Sequence, residues 1–336
     1  MKITEPNANL QPQKVKAKIT DNIFKNILKA TVTDEMVQDI ESLQFAWLKT
    51  IVQGHVVIIC AESNGGKTTI MAHAAAEMVK NGYEVMYINA DAAADQLKEY
   101  KGHATRSGYT LLSPDMSSEP VGAIVAHLND IAASDSNLSN IVIILDTLKK
   151  FTDVMSKGSA KSFYSMCRTL SAKGATVICL AHTNKYKAND GMPVFEGVGD
   201  LRNDCDELIY LIPVKNDDGS MTVSTVIGKA RASLEKVSFR INADRSVKVL
   251  SQHVDTHAIS IYQDNLKSDG DIIAFILENI SSKPMSVTEL KDIADYRFSR
   301  KALEKVLVRY CQGSDCLDPK WRSIPAKLNG TKYEIL

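Results

Sequence analysis

The sequence has no excess of charge of either sign, because 40 Lys and Arg residues balance 40 Asp and Glu residues. Proteins that bind nucleic acid tightly and without sequence preference usually carry a clear basic excess. The balance therefore argues against such binding, although it is compatible with a local basic groove. Hydrophobic residues make up 44% and charged residues 24% of the 336 positions, as is typical of a soluble globular protein. This length predicts a core domain with one or two small appendages.

Cysteine is sparse, and its six copies are scattered without a CxxC pair or a histidine at metal-ligand spacing. This pattern argues against a disulfide framework or a zinc site and favours free thiols in a reducing compartment. The sequence also lacks an apolar run long enough to span a bilayer. Residues 1–18 are polar and charged, unlike a signal peptide. We therefore expect a cytoplasmic protein with no membrane partner.

From about Glu41 onward, apolar strand-like runs alternate with helical stretches. Continuous β-branched runs separated by helices indicate a parallel sheet covered on both faces, which is an α/β fold. The turn signal at residues 216–219 then separates two further strand-like runs, which predict an antiparallel extension of the sheet. The predicted parallel strands are residues 55–60, 84–89, 141–146, 175–181 and 207–213.

The two ends of the chain predict smaller pieces. We predict an N-terminal arm over residues 1–40, with an amphipathic helix at 19–28 that packs on its own domain or on a neighbouring subunit. The core is predicted over residues 41–255. Residues 251–267 look like a linker, and three short helices followed by a β-hairpin predict a small winged-helix domain over 266–336. Winged helices bind DNA or dock proteins, so this prediction leaves the role of the domain open.

The strongest motif is AESNGGKT, which follows an apolar strand and precedes a helix, the context of a P-loop. The glycines let backbone N–H groups point at phosphate oxygens, and the helix N-terminus adds its positive end. Lys67 is expected to reach the β- and γ-phosphates of ATP, and the Thr68 hydroxyl to bind Mg²⁺. Ala61 replaces the first glycine of the usual pattern with another small residue. The predicted ATP-binding residues are Glu62, Ser63, Asn64, Gly65, Gly66, Lys67, Thr68 and Thr69.

Polar residues at the ends of the other predicted strands suggest the remaining chemistry. Asp146 ends a strand expected to lie next to the P-loop strand, where a carboxylate holds Mg²⁺, usually through water. Asp91 is the candidate for orienting or deprotonating the attacking water, with Glu62 as its competitor. His182 is expected to touch the γ-phosphate and report its loss. A helix cap for the aspartates and a structural hydrogen bond for the histidine are the alternatives.

The set AESNGGKTT, NADA, ILDTLKKF, LAHTNK and GVGDLRNDCDELIYL resembles the RepA-like branch of RecA-fold hexameric helicases of plasmid and phage replication. The resemblance covers about residues 41–250. It implies a RecA-like P-loop core, ATP and Mg²⁺ as cofactors, a homo-oligomeric ring expected to be a hexamer, and single-stranded DNA as partner. A replication initiator or primase is a further partner that it suggests. The chain departs from the family in having Asp91 where the catalytic glutamate is usual, and residues 1–40 contain no recognisable primase domain.

A second stretch, IGKAR followed by VSF, is similar to the late Lys-x-Arg segment of the DnaB-type helicases. In that family the pair reaches across a subunit interface to a neighbour's γ-phosphate. The resemblance therefore implies that Arg231 is an arginine finger and Lys229 its companion. Read from the residues alone, the two are solvated charges on an edge strand.

The same family places DNA-binding loops after the third and fourth strands. Here those loops correspond to residues 149–161 and 184–202, which are mildly basic. Lysines in glycine-containing loops suit a non-specific grip on phosphates. The aromatic residues Phe151, Tyr186 and Phe195 are expected either to stack on bases or to pack locally.

The pattern as a whole predicts an ATP-dependent DNA helicase that acts in the replication of a plasmid, phage or mobile element. A RecA-like recombination ATPase that forms filaments is one alternative. A DNA-binding, ATP-dependent regulatory switch is the other, and the neutral net charge favours it.

Overall fold

The computed structural model describes residues 27–34 and 43–336. The chain divides into two compact units, Met1–Gln44 and Phe45–Leu336. Of the first unit, the described part contains a short 3₁₀ turn at Leu28–Ala30, and most of the predicted helix at 19–28 lies outside the described residues.

The second unit alternates strands and helices as predicted. Its strands are β1 (Phe45–Trp47), β2 (Ile51–Val52), β3 (Val56–Ala61), β4 (Glu84–Asn89), β5 (Thr110–Leu112), β6 (Ile141–Asp146), β7 (Thr176–Lys187), β8 (Pro193–Phe195), β9 (Glu207–Lys215), β10 (Met221–Lys229), β11 (Ser238–Ile241), β12 (Val247–Val249), β13 (Trp321–Ala326) and β14 (Gly330–Ile335). Its α-helices are α1 (Lys67–Lys80), α2 (Ala94–Ser107), α3 (Val121–Ala133), α4 (Leu148–Phe151), α5 (Lys157–Ala172), α6 (Gly199–Asp204), α7 (Thr256–Ile280), α8 (Val287–Ala294) and α9 (Arg300–Arg309).

One large sheet organises the unit, with the strand order β12-β11-β10-β9-β3-β7-β6-β4-β5. The strands from β9 to β5 pair in parallel, and β10, β11 and β12 continue the sheet antiparallel. The predicted α/β fold with its antiparallel extension is therefore confirmed. The expectation that the strand of Asp146 neighbours the P-loop strand is wrong, because β7 lies between β3 and β6. The chain passes from β3 to β4 without pairing these two strands, and β7 and β6 later fill the gap between them. Local sequence does not encode this strand order.

The strand β3 explains why the sheet is covered on both faces, since all six of its residues are buried. Successive strand side chains point to opposite faces. Val56, Ile58 and Cys60 join one hydrophobic cluster, which includes residues of α3 and α5. Val57, Ile59 and Ala61 join the other, which includes residues of α1. Burial on both faces accounts for the uninterrupted apolar run in the sequence.

The C-terminal part contains α7, α8, α9 and the β13–β14 hairpin, which share a third hydrophobic cluster around Trp321. The predicted linker at 251–267 is wrong for most of its length, because α7 begins at Thr256 and runs without a break to Ile280. Asp255 caps this helix by accepting a hydrogen bond from the Ala258 amide at 2.9 Å. The winged-helix domain over 266–336 stays a prediction. None of the helices among the described residues combines the length and apolar character needed to cross a bilayer.

Candidate nucleotide-binding site

The loop between β3 and α1 has the backbone shape that a P-loop needs. Asn64 and Gly66 have positive φ angles of 60° and 82°, so the loop turns tightly before α1 begins at Lys67. Gly66 has no side chain to cap the first amides of the helix, which leaves them for an anion. A Cβ atom at Gly66 would lie 2.5 Å from Cδ1 of Ile241, so glycine is also required by the close approach of β11.

The side chain of Lys67 is buried at the centre of this loop. Its Nζ donates to the carbonyl oxygens of Ala61 at 3.3 Å and Glu62 at 3.4 Å, and lies 3.4 Å from Nδ1 of His182. These distances exceed the usual 2.9–3.0 Å of N–H···O bonds, so phosphate oxygens can replace the carbonyls at small cost. Burial lowers the pKa of Lys67, and the nearby carboxylate of Asp146 partly opposes that shift.

Asp146 lies at the end of β6, where its carboxylate is buried beside the start of α1. Its Oδ2 accepts hydrogen bonds from the Thr68 hydroxyl at 2.8 Å and from the Tyr87 hydroxyl at 2.9 Å. Burial raises the pKa of Asp146, and these two hydrogen bonds oppose that effect. A hydroxyl and a carboxylate oxygen at this spacing are the hard ligands that Mg²⁺ prefers, with water and phosphate oxygens completing its shell. The residues present therefore fit the predicted metal.

The structure brings Asp91 and His182 to the same cavity, which has a volume of about 490 Å³. Asp91 is partly exposed there, with Nζ of Lys150 at 3.8 Å from its carboxylate. His182 lies within β7, in register with Ala61 at the end of β3, and its pKa is lowered by burial and then by the charge of Lys67. It is therefore neutral at neutral pH and able to accept or donate a hydrogen bond.

The rival carboxylate, Glu62, has a different position. Its side chain is exposed and lines a second cavity of about 400 Å³, beside Asn184 and His257. The other predicted ATP-binding residues, from Ser63 to Thr69, line the first cavity. Of the two candidates for activating water, only Asp91 faces the nucleotide cavity.

The far end of the nucleotide cavity consists of residues that sequence reasoning missed. Met221 and Ile241 come from the antiparallel extension, Tyr100 comes from α2, and Arg245 comes from the turn between β11 and β12. Arg245 has a φ of 63°, unusual for a residue other than glycine, and its guanidinium lies 3.4 Å from Glu99. No local motif marks these residues, because they meet only when the extension folds over the loop. We expect the nucleoside of a bound nucleotide to lie against these residues, because the loop at residues 63–69 of the same cavity is the predicted phosphate site.

We expect Arg245→Ala to weaken ATP binding by about threefold to tenfold, the range given by losing a guanidinium that stacks on a base. The kcat of ATP hydrolysis is expected to stay nearly constant, because a contact with the base is the same in the ground state and in the transition state. Titration with a fluorescent ADP analogue measures the affinity. Arg240→Ala is the matched control, since Arg240 is an exposed arginine of β11 that pairs with Asp218. Equal affinities for the two variants would remove Arg245 from the site.

Lys229 and Arg231 lie at the opposite edge of the sheet from the P-loop of the same chain. Lys229 at the end of β10 is in register with Leu208, which in turn pairs with Ile58 in the first half of β3. The P-loop follows the last residue of β3. Nζ of Lys229 donates to the backbone carbonyl of Cys205 at 2.6 Å, and Nη1 of Arg231 lies 3.0 Å from Asp206. The structure therefore does not bring either residue to the nucleotide cavity of its own chain.

The two segments predicted to face a channel differ in structure. Residues 149–161 contain the end of α4 and the start of α5, and Phe151 is buried. Residues 184–202 begin as a β-hairpin, because β7 extends to Lys187 and pairs with β8. Phe195 in this hairpin is buried, whereas Tyr186 is 84% exposed. Of the three aromatic candidates for base stacking, two pack locally and Tyr186 alone is available.

One family model and two solved structures are similar to parts of this chain. The AAA domain family matches residues 26–188, just under half of the chain, and this stretch includes the P-loop, Asp91, Asp146 and His182. No curated protein matches the chain. Among solved structures, the flagellar accessory protein FlaH from Methanocaldococcus jannaschii is 15% identical, with a TM-score of 0.42 over 60% of this chain and 92% of that one. A KaiC-like protein from Pyrococcus horikoshii is 12% identical, with a TM-score of 0.42 over 60% of this chain and 91% of that one. The AAA-domain match includes the loop and the strand and helix that flank it, so the match and the loop geometry agree on a P-loop within an α/β fold.

Proposed function

We propose that the chain hydrolyses ATP in a ring of identical subunits, a hexamer, and that it moves along single-stranded DNA as a helicase in the replication of a plasmid, phage or mobile element. The observation that carries this proposal is the position of Arg231. It lies at the opposite sheet edge from its own P-loop, so it can meet a γ-phosphate only in a neighbouring copy. An arginine supplied in trans makes hydrolysis depend on assembly.

In the proposed mechanism each residue at the nucleotide cavity has a separate task. Lys67 contacts the β- and γ-phosphates, and Asp91 orients or deprotonates the attacking water. Thr68 and Asp146 hold Mg²⁺, which when bound neutralises charge on the phosphates. His182 touches the γ-phosphate beside Lys67, and its position changes when that phosphate leaves. The neutral imidazole suits this task because it can exchange one hydrogen-bond partner for another.

The strand β7 offers a direct route from the nucleotide to DNA. His182 and Tyr186 lie on the same continuous strand, about 13 Å apart at the usual rise of a strand. The carbonyl of His182 also accepts a hydrogen bond from the Glu196 amide at 3.1 Å, which ties the second arm of the hairpin to the same point. A shift of His182 on loss of the γ-phosphate would therefore move the hairpin that carries Lys185, Tyr186 and Lys187.

The test of the proposal is the rate of ATP hydrolysis with and without single-stranded DNA, measured together with the molecular mass in solution. We expect DNA to raise the rate several-fold and light scattering to give the mass of a closed ring. An open-ended distribution of masses would indicate a filament-forming recombination ATPase instead. A monomer or dimer whose hydrolysis is indifferent to DNA would contradict the motor and favour a switch.

Tyr186→Ala is expected to weaken binding to an oligo-dT strand by about tenfold or more, because one base–aromatic stack contributes about 1–3 kcal/mol. The unstimulated rate of hydrolysis should not change, since the side chain is 84% exposed and lies outside the nucleotide cavity. Fluorescence anisotropy of a labelled strand measures the affinity. The matched control is Tyr296→Ala, at a tyrosine of the C-terminal part that is 95% exposed. If Tyr296→Ala weakens binding and Tyr186→Ala does not, single strands bind the C-terminal part and the hairpin has no such role.

The regulatory switch is the second candidate, and one contact favours it. Lys187 of the hairpin pairs with Asp264 of α7 at 2.6 Å and lies 3.4 Å from the Ser260 hydroxyl. One of the hairpin cations is thus partly neutralised by the C-terminal part of the same chain. A switch of this kind would bind DNA or a partner protein through the C-terminal part, and it would not need a closed ring.

A further inference from the structure

We propose that Asp206 is a positioning residue that presents the guanidinium of Arg231 to the nucleotide of a neighbouring copy. The inference rests on the proposed function, in which Arg231 acts in trans. It adds a residue that no motif in the sequence singles out, since Asp206 precedes β9 as one of several acidic residues in that stretch.

The carboxylate of Asp206 is held in one place by four hydrogen bonds or ion pairs. Its side chain is only 3% exposed. Oδ2 accepts from the Val56 amide at 2.9 Å and from Nη1 of Arg168 at 2.6 Å, while Oδ1 accepts from Nη2 of Arg168 at 2.8 Å. The fourth partner is Nη1 of Arg231, 3.0 Å from Oδ1. A buried carboxylate with this many partners has a fixed rotamer, so it can orient whatever it binds.

The charge of Asp206 is secure at neutral pH. Burial acts to raise the pKa of Asp206, but the hydrogen bonds from Arg168 and from the Val56 amide outweigh burial, so the pKa lies below its ordinary value. One negative charge then faces two guanidinium groups. The group keeps a net positive charge, and Arg231 can still attract a triphosphate.

Arg231 is bound at one corner only. Its side chain is 55% exposed, and among the described residues Asp206 is its partner through Nη1. A guanidinium has five N–H donors in a planar fork. The remaining donors of Arg231 are therefore available to phosphate oxygens, while the ion pair with Asp206 restricts where the guanidinium lies. This arrangement lowers the entropy lost when the arginine reaches a neighbour's phosphate.

The backbone before Arg231 is fixed as well. The register between β10 and β9 shifts at Gly228, which is a bulge that redirects the strand end. A Cβ atom at Gly228 would lie 2.6 Å from Cε2 of Tyr210, so no larger residue fits there without displacement. Lys229 then anchors the strand end on the carbonyls of Asn203 and Cys205. The backbone and the carboxylate thus fix Arg231 from two sides.

A purely structural role for Asp206 makes a different prediction. Val56 and Arg168 already hold the carboxylate against β3 and α5. If Asp206 only stabilised the fold, these contacts would be enough and the pair with Arg231 would not be needed. The two roles separate in an assay that reads only what a subunit donates to its neighbour. Lys67→Ala subunits lack a working P-loop but can donate Arg231, whereas Arg231→Gln subunits keep the P-loop but cannot donate. When the two variants are mixed, hydrolysis should return at interfaces where the P-loop of an Arg231→Gln subunit meets the Arg231 of a Lys67→Ala subunit.

The experiment compares donors in this mixture, with single-stranded DNA present. Donors that carry Lys67→Ala and Asp206→Asn together are expected to restore about tenfold less hydrolysis than Lys67→Ala donors, because a misplaced catalytic group costs this much or more. Donors with Lys67→Ala and Arg168→Gln keep the pair between Asp206 and Arg231 but lose two of the four contacts that hold the carboxylate, so they should restore hydrolysis to a level between those of the other two donors. Thermal melting of each donor shows whether it is folded.

The outcomes separate the inference from the proposed function. If Lys67→Ala donors do not rescue Arg231→Gln subunits, the trans arrangement itself fails. If they do rescue, and the Asp206→Asn donors rescue equally well, only the role of Asp206 is overturned. Equal losses for the Asp206→Asn and Arg168→Gln donors would mean that Asp206 is structural. If Asp206→Asn does not fold, Asp206→Glu replaces it. A folded Asp206→Glu donor should rescue less because its carboxylate is displaced, and full rescue would overturn the inference.

Discussion

Lys67→Ala is expected to lower the kcat of ATP hydrolysis by about 10²- to 10³-fold, the usual cost of removing one group that stabilises charge in the transition state. The side chain lies at the start of α1, within reach of the loop that would hold the phosphates, and next to His182. Steady-state release of phosphate, with and without single-stranded DNA, measures the effect. We expect the loss under both conditions, because the lysine acts on the phosphates and not on DNA.

The fold should survive this substitution. Lys67 donates only long hydrogen bonds to the carbonyls of Ala61 and Glu62, and burial already lowers its pKa. Removing a desolvated ammonium group therefore costs little free energy of unfolding. Lys80→Ala, at an exposed lysine of the same helix that pairs with Glu77, is the matched control. Hydrolysis by Lys67→Ala at the rate of the Lys80→Ala control would contradict the assignment of the P-loop.

The parts of the site that the sequence predicts are those whose atoms come from one short segment. The strand, loop and helix of residues 56–80 encode their own geometry, because the buried run, the glycines and the helix start are contiguous. Asp91 and Asp146 could be predicted for a similar reason. Each lies at the carboxyl end of a parallel strand, and the carboxyl ends of the parallel strands lie at the same edge of the sheet as the loop. Which of Asp91 and Glu62 faces the cavity could not be predicted, because the two residues follow different strands and the direction of each side chain depends on tertiary packing.

The nucleoside wall could not be predicted for a different reason. Tyr100, Met221, Ile241 and Arg245 are separated by up to 145 positions and meet through strand order alone. The position of β7 between β3 and β6 could not be predicted either, because it also depends on the strand order. Alternating strands and helices predict a parallel sheet, but several strand orders satisfy that pattern.

The helix α7 shows where the sequence contained a signal that was missed. Tyr262, Leu266, Ile273, Ile276 and Ile280 recur at helical spacing and pack on the C-terminal cluster. The polar residues around them resemble a linker by composition. Periodicity is the better guide here, because a surface helix is polar on most of its face.

Arg231→Gln is expected to lower the DNA-stimulated kcat by about 10³-fold, the lower end of what an arginine finger contributes. Nucleotide binding by the same subunit should be unchanged, because Arg231 lies at the opposite edge of the sheet from its own P-loop. The two quantities are measured separately, by phosphate release at saturating ATP and by titration with a fluorescent, non-hydrolysable ATP analogue that carries the γ-phosphate. Arg322→Gln is the control, since Arg322 is an exposed arginine paired with Glu334 in the C-terminal hairpin.

The dependence of the hydrolysis rate on protein concentration is a second test of whether Arg231 acts in trans. If the arginine is supplied in trans, the rate per subunit of the unmodified protein should rise with concentration as subunits assemble. Arg231→Gln should stay slow at every concentration, even where light scattering shows that it assembles. A residue that acted on its own nucleotide would give a rate per subunit independent of concentration, and its loss would weaken the binding of a non-hydrolysable ATP analogue to isolated subunits. That pair of results would contradict the position of Arg231 relative to the P-loop, and with it the reason for proposing a ring.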